Sequence, residues 1–329
     1  MKKENSKDSK KAQTIKSIPF GERPGRKPYN ASEVVALDDS RFLFCDNNIS
    51  DALFELRLTP EGAMAGPLIG RPLRGVEPGT VDDLEGMVMV KNGSQRFIFA
   101  APSLSLKLRK KRHKRKSKRG KAASDRASLL RISVGKRGQL DAEVMPDFRS
   151  WLIGASPILG KSPKHVPDDG GLNIEGLEWN PAEQTLLFGM RTPVAEEGRP
   201  IILRVRLKEI GGPWNPDNFE MLPPVVLKLE EEHEGHGIRA LGYFPSRGEW
   251  LVVIGNSTSS SNASFNLYSW DGNADGLVRR FNDLRFHKKM RVEGVVHGMI
   301  AGREAIVFVD DKGGYYSLWA DDPRLQQPR

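Results

Sequence analysis

Residues 174–207 read IEGLEWNPAEQTLLFGMRTPVAEEGRPIILRVRL, and their order decides the fold. A first apolar run opens on Ile174-Glu175-Gly176-Leu177, and Asn180-Pro181 marks a turn. A second run, TLLFGM, leads into Arg191-Thr192-Pro193, and a third, IILRVRL, follows a Gly-Arg-Pro step. Short runs rich in Val, Ile, Leu and Phe between Gly/Pro turns are strands in meander order. Working outward, the same order recurs. Leu84-Glu85-Gly86-Met87 and Val292-Glu293-Gly294-Val295 repeat the opening, and Ser32-Glu33-Val34-Val35 and Ile238-Arg239-Ala240-Leu241 repeat it more loosely. The second runs are RFLFCD, RFIFAA, WLVVIG and AIVFVD; the third are ALFELRL, SLLRISV, SFNLYSW and YYSLWA. Weaker fourth runs lie at 139–145, 219–229 and 277–286. Repeated four-stranded units predict an all-β fold, a β-propeller. A β-sandwich also gives short strands at regular intervals, but it does not call for one polar position at every first strand.

The signature positions 33, 85, 175, 239 and 293 are separated by 52, 90, 64 and 54 residues. Three of these intervals suit one blade each. The 90-residue interval also holds a basic run and a Pro/Gly-rich stretch, so the ring has five or six blades. The chain ends soon after YYSLWA, which leaves the last blade without an outer strand. Residues 14–20, TIKSIPF, can supply it and protect an open edge.

The chain has 329 residues, 38% of them hydrophobic, enough for a sizeable core. The formal net charge of +9 is unevenly placed. Residues 107–121, KLRKKRHKRKSKRGK, hold eleven Lys/Arg and no acid, and residues 1–27 carry +6, which leaves the rest at −8. The expected organisation is a basic tail over 1–27 that includes the closing strand, a propeller over 28–321 with a disordered basic insertion at 107–121, and a tail over 322–329. Lys110, Lys111, Arg112, Lys114, Arg115 and Lys116 are candidates for sequence-unspecific contact with nucleic acid or another polyanion. No run approaches the length of a membrane span, and the charged N-terminus is not a secretory signal, so a cytoplasmic location is expected, with a secreted form whose cleaved signal lies outside this sequence as the alternative. A single cysteine, Cys45, excludes an internal disulfide framework and a Cys-rich zinc site.

In an antiparallel pair the start of the first strand lies beside the end of the second. The second strands end 13, 16, 16, 17 and 17 residues after the signature positions, at Asp46, Ala101, Arg191, Asn256 and Asp310. One mouth of the channel should therefore collect Glu33, Glu85, Glu175 and Glu293 with Arg191, Arg239, Asp46, Asn256 and Asp310. Carboxylates around one axis repel, so they must be protonated, paired with cations or bound to metal. Oxygen-only ligands suit Ca²⁺ or Mg²⁺, with Glu85, Glu175, Glu293, Asp46, Asn256 and Asp310 as the donor set. Glu175 would also serve as general base, Arg191 and Arg239 would orient an anionic group, and His236, three residues before Arg239, is a further base or ligand. The bland reading is a set of ion pairs that only registers the ring.

The EGL/EGM openings, the R-T-P after a second strand and the Gly237-Ile238-Arg239 start resemble an uncharacterised bacterial family, the domain of unknown function numbered 3616. The Glu-Gly opening also resembles the first blade of gluconolactonases and senescence marker protein, six-bladed propellers with a divalent metal in the channel. That resemblance implies a metal-ligating Glu at Glu85, Glu175 or Glu293. The resulting expectation is divalent-cation-assisted hydrolysis of a small anionic ester, lactone or phosphoester. The alternative is a non-enzymatic protein-interaction scaffold with a polyanion-binding basic loop.

Overall fold

The computed structural model describes residues 14–21, 27–77, 79–106, 128–229 and 235–326. Its strands form a five-bladed β-propeller. The first blade runs outward through Ala31–Asp38, Arg41–Asp46, Ile49–Arg57 and Ile69–Arg74. The second comprises Leu84–Asn92, Gln95–Pro102, Leu129–Val134 and Leu140–Met145, and the third Asn173–Asn180, Thr185–Thr192, Ile201–Leu207 and Phe219–Val226. His236–Phe244, Glu249–Asn256, Asn266–Trp270 and Val278–Arg280 make the fourth. Val292–Ile300, Arg303–Asp310 and Gly314–Trp319 make the fifth, whose outer strand is Ile18–Pro19 from the other end of the chain. The five innermost strands lie side by side, the fifth against the first.

Ring closure follows the sequence expectation in substance and divides it in detail. Ile18 and Pro19 pair antiparallel with Tyr315 and Gly314, while Thr14 and Ile15 pair in parallel with Arg285 and Phe286 between the fourth and fifth blades. Phe20 then stacks on Phe44 at 4.7 Å and on Tyr315 at 5.7 Å, which ties the closing strand to the first blade. The outer strands of the first two blades touch through a two-residue parallel bridge, Leu140 to Leu73 and Asp141 to Arg74, and cover each other's edges.

Among the described residues, the 90-residue interval contains one blade plus an insertion and no sixth blade. After Met145 the chain forms a short helix, Phe148–Ala155, and three 3₁₀ turns before the third blade begins. Phe148 and Leu152 of that helix are buried against Phe188 and Phe219, so the insertion is packed onto the third blade. Apolar side chains fill five layers, one between each pair of neighbouring blades, as alternation along each strand dictates. Trp179, Trp250 and Trp270 lie inside these layers. Among the described residues no helix is long and apolar enough to cross a membrane.

A charged ring at the channel mouth

Every innermost strand begins with the same irregularity. The pairing register shifts around Glu85, Glu175, Arg239 and Glu293, and around Ser32-Glu33 in the first blade. Each signature residue is thus the extra residue of a β-bulge, which re-aims its side chain relative to the regular pleat. The glycine behind it has a separate cause. A Cβ on Gly86 would lie 2.7 Å from Leu177 Cβ of the third blade, and one on Gly294 would lie 2.9 Å from Glu33 Cα of the first. Glu-Gly is therefore a bulged carboxylate followed by the point where two innermost strands approach too closely for any side chain.

The bulges bring Glu85, Glu175, Arg239 and Glu293 into one buried group at the mouth. Arg239 lies between two of the acids: Nε is 2.7 Å from Glu175 Oε2, at an angle short of a hydrogen bond, and Nη2 donates to Glu293 Oε1. Its Nη1 donates to the Asn256 carbonyl at 3.1 Å, and the guanidinium lies over the Phe265 ring at 5.3 Å. Arg191 Nη1 donates to Glu175 Oε1 at 2.7 Å, and its Nε donates to the Ser257 carbonyl at 2.9 Å. Asn173 Nδ2 adds a bond to Glu175 Oε1 at 3.2 Å. Glu175 is thereby clamped between two guanidiniums.

Glu85 has a different environment. Its side chain accepts a long bond, 3.4 Å, from Asn47 Nδ2. Burial pushes its carboxyl well above the usual carboxylate range, and the nearby charges of Glu175, Asp83 and Glu293 push the same way. Burial also raises Glu293, to about 8, with Arg239 opposing and Glu175 reinforcing the shift. For Arg191, burial acts against the charge, but Glu175 outweighs it and keeps the guanidinium firmly protonated. The mouth thus combines a clamped carboxylate with two carboxyls that hold their protons to unusually high pH.

Glu33 does not join this group. Its Oε1 accepts from the Val34 and Val295 amides at 3.1 and 3.0 Å, so it stitches the first blade to the fifth. Glu178 does the same between the third and fourth blades, accepting from the Trp179 and Tyr243 amides at 2.7 Å each. Burial raises Glu178 to about 7.

The remaining candidates fall into two sets. Asp46 accepts from the Asn48 amide at 2.9 Å and Asp310 from the Lys312 amide at 2.7 Å, so each organises the turn that follows its strand. Asn256 directs Oδ1 at Arg239 and at Arg291 Nη1, 3.5 and 3.3 Å away, and gives Nδ2 to the Thr258 carbonyl at 2.9 Å. His236 is half-buried at the start of the fourth innermost strand, opposite Asn256 in the pairing register. Cys45 is buried, and burial raises its thiol. His233 and the basic candidates Lys110, Lys111, Arg112, Lys114, Arg115 and Lys116 lie outside the described residues.

A divalent cation does not fit this donor set as expected. Both oxygens of Glu175 face guanidiniums, Glu293 Oε1 accepts from Arg239, and Asp46 and Asp310 are turned to backbone amides. The Arg239 guanidinium occupies the position from which a cation would bridge Glu175 and Glu293. Among the described residues no three His, Cys, Asp or Glu side chains are grouped to hold a metal.

Sequence reasoning missed Asn173 and Arg291. Both stand two residues before a signature position, as does Asp83. That common offset from 85, 175 and 293 was the available signal. Asp168, exposed in the insertion, accepts from the Ser259 amide and hydroxyl at 2.8 and 2.7 Å, and so ties the insertion to a loop of the fourth blade.

No family model matches the chain, including any for the family its repeat motifs resemble. No curated protein matches it either. Solved structures do. The major allergen Mala s 1 of Malassezia sympodialis is 9% identical, with 89% of this chain and 93% of that one covered at a TM-score of 0.48. An α-L-arabinofuranosidase from Podospora anserina is 8% identical, with 91% and 93% covered at 0.47. The Nup133 β-propeller domain of Vanderwaltozyma polyspora is 8% identical, with 87% and 69% covered at 0.34.

Proposed function

We propose that the channel mouth is an acid–base site of hydrolase type, acting on a small anionic ester, lactone or phosphoester without a bound metal. One observation carries this reading: Glu85 and Glu293 are neighbouring buried carboxyls whose proton affinities are both raised, beside a Glu175 already neutralised by arginine. Two such carboxyls lose their protons in succession, because the first charge opposes the second. Over the intervening pH range one is a carboxylate able to take a proton from water, and the other is an acid able to protonate a leaving oxygen. Arg191, whose side chain is 19% exposed, makes no hydrogen bond through Nη2 among the described residues, and that edge can stabilise a developing oxyanion. Arg239, paired with two acids, acts by holding Glu175 and Glu293 in place.

The test is a screen of ester, lactone and phosphoester substrates with and without chelator. Chelator-insensitive turnover with a bell-shaped pH profile is expected, and Glu85→Gln and Glu293→Gln should each abolish it in folded protein. Turnover that survives both substitutions, or that chelator removes, overturns the assignment.

A further inference from the structure

Beside the ring, between the fourth and fifth blades, lies a cavity of about 290 Å³. Its walls come from the 261–265 segment and from residues 286–291, which lead into the fifth innermost strand. Phe265, Phe286 and Met290 give it an apolar floor, and Lys288, Arg291 and Ser264 give it polar sides. Among the described residues no carboxylate lines it. Lys288 and Arg291 are exposed, and among the described residues neither is paired with an acid. Arg291 is instead steered by Asn256 Oδ1, at 3.3 Å, and by the Phe265 ring, 5.9 Å away. The same ring and the same Asn256 Oδ1 also contact Arg239, Glu293's partner, so the cavity adjoins the charged ring.

Cations with no acidic partner among the described residues, set beside apolar side chains, suit an anion with an organic body. A planar guanidinium, a lysine ammonium and a hydroxyl present separate donors to one group, which matches a tetrahedral oxyanion with several acceptor oxygens. We infer that this cavity binds the phosphate of a small phosphomonoester, with the organic part lying over Phe265 and Phe286. The inference deepens the proposed reading of the mouth, since it makes the substrate's anionic end a phosphate and gives its anchor to Arg291 and Lys288, not to Arg191 and Arg239. Binding here needs no turnover, so the two can fail separately.

The experiment is calorimetric or NMR titration of the full chain with inorganic phosphate, phenyl phosphate and phenol. Saturable binding of phenyl phosphate is expected, tighter than inorganic phosphate because of the apolar floor, with no saturable binding of phenol. Lys288→Gln, an exposed change that leaves the fold intact, and Arg291→Gln should each weaken phenyl phosphate by about tenfold, the loss of one charge-assisted contact. Glu85→Gln should leave it unchanged while abolishing any turnover. Binding unaffected by both Lys288→Gln and Arg291→Gln, or no saturable binding at millimolar phenyl phosphate, overturns the cavity assignment and leaves the acid–base reading standing. Binding that is lost in Glu85→Gln places the anion on the ring and overturns it as well.

Discussion

Replacing Arg239 by Met keeps an unbranched apolar stem over Phe265 and removes the one charge that touches both Glu175 and Glu293. The cost depends on which acids are ionised. Near pH 5.5 Glu293 already carries its proton, since burial raises it to about 8, and Glu175 keeps Arg191 at 2.7 Å. The loss there is one contact to a still-paired carboxylate, about 1–2 kcal/mol. Above pH 8 the wild-type ring contains an ionised Glu293 whose partner is Arg239, and the variant must leave that acid unpaired or force it to keep its proton. With Glu293 at about 8 in the wild type, keeping its proton at pH 8.5 adds at most about 1 kcal/mol to the variant's loss. At roughly 2 °C per kcal/mol for a chain of this size, the melting temperature should fall by about 2–4 °C at pH 5.5 and about 4–6 °C at pH 8.5. Differential scanning calorimetry of both proteins across this range measures the difference directly. An equal loss at the two pH values would mean that Arg239 serves only as packing and as a donor to the Asn256 carbonyl, and the electrostatic account of the ring would be wrong.

Three further outcomes follow from the same geometry. Glu178 and Glu293 are raised to about 7 and about 8, so their contribution to stability is complete below the usual 4.5 and is lost as pH rises through those values. Glu55 behaves oppositely: burial raises it, but Arg41, Arg57 and Arg71 hold it near 2, so its contribution is present above 4.5 and disappears on further acidification. The melting temperature of the wild type should therefore peak near pH 5, and a maximum at pH 8 would contradict both shifts. Gly86→Ala should cost about 1–3 kcal/mol by pushing Leu177 away, whereas Gly154→Ala, in the inserted helix with open space around it, should be neutral or stabilising by thermal melting. Phe20→Ala should cost about 3–5 kcal/mol and expose the seam between the fifth and first blades to protease, and an unchanged cleavage pattern would argue against closure by the N-terminal strand.

Much of the fold was legible because a propeller writes itself into the sequence repeatedly. Five second strands of continuous apolar residues, such as RFLFCD and AIVFVD, are buried on both faces, and a run of that kind has no other comfortable location. The insertion at 146–171 was legible only as an irregularity: its 3₁₀ turns have too few residues for a periodicity, and the Phe148–Ala155 helix is two turns long. The partners of the polar residues were less accessible. Asp46 and Asp310 stand at equivalent strand ends and were grouped with the ring, yet each gives its Oδ1 to a backbone amide two residues ahead. Side chains of Asp at the end of a strand have that local alternative, and it competes with any long-range ligand. Glu33 left the group for a similar reason, because the bulge that aims Glu85 and Glu293 at the mouth lays its carboxyl against the Val295 amide.

The fourth repeat is where departure from the pattern explains the most. Its opening reads Ile238-Arg239-Ala240 where the third and fifth read Glu-Gly, and as a repeat it is the poorer copy. As electrostatics it is required. A ring with carboxylates at Glu85, Glu175, Glu293 and a fourth position would hold four like charges in a buried mouth, and burial would keep nearly all of them protonated. One guanidinium at that position pairs with both Glu175 and Glu293, while burial leaves Glu85 and Glu293 their high proton affinity. Arg239 also explains why its neighbour is alanine: its own bulge faces Glu293, and the close approach to the fifth blade is made two residues later, where a Cβ on Gly242 would strike the Val295 carbonyl. Moving the close approach from 240 to 242 releases position 240 from the glycine requirement, and Ala240 instead packs in the layer between the fourth and fifth blades. The least regular opening in the repeat is thus the one on which the chemistry of the mouth depends, as expected where a local rule is broken for a site.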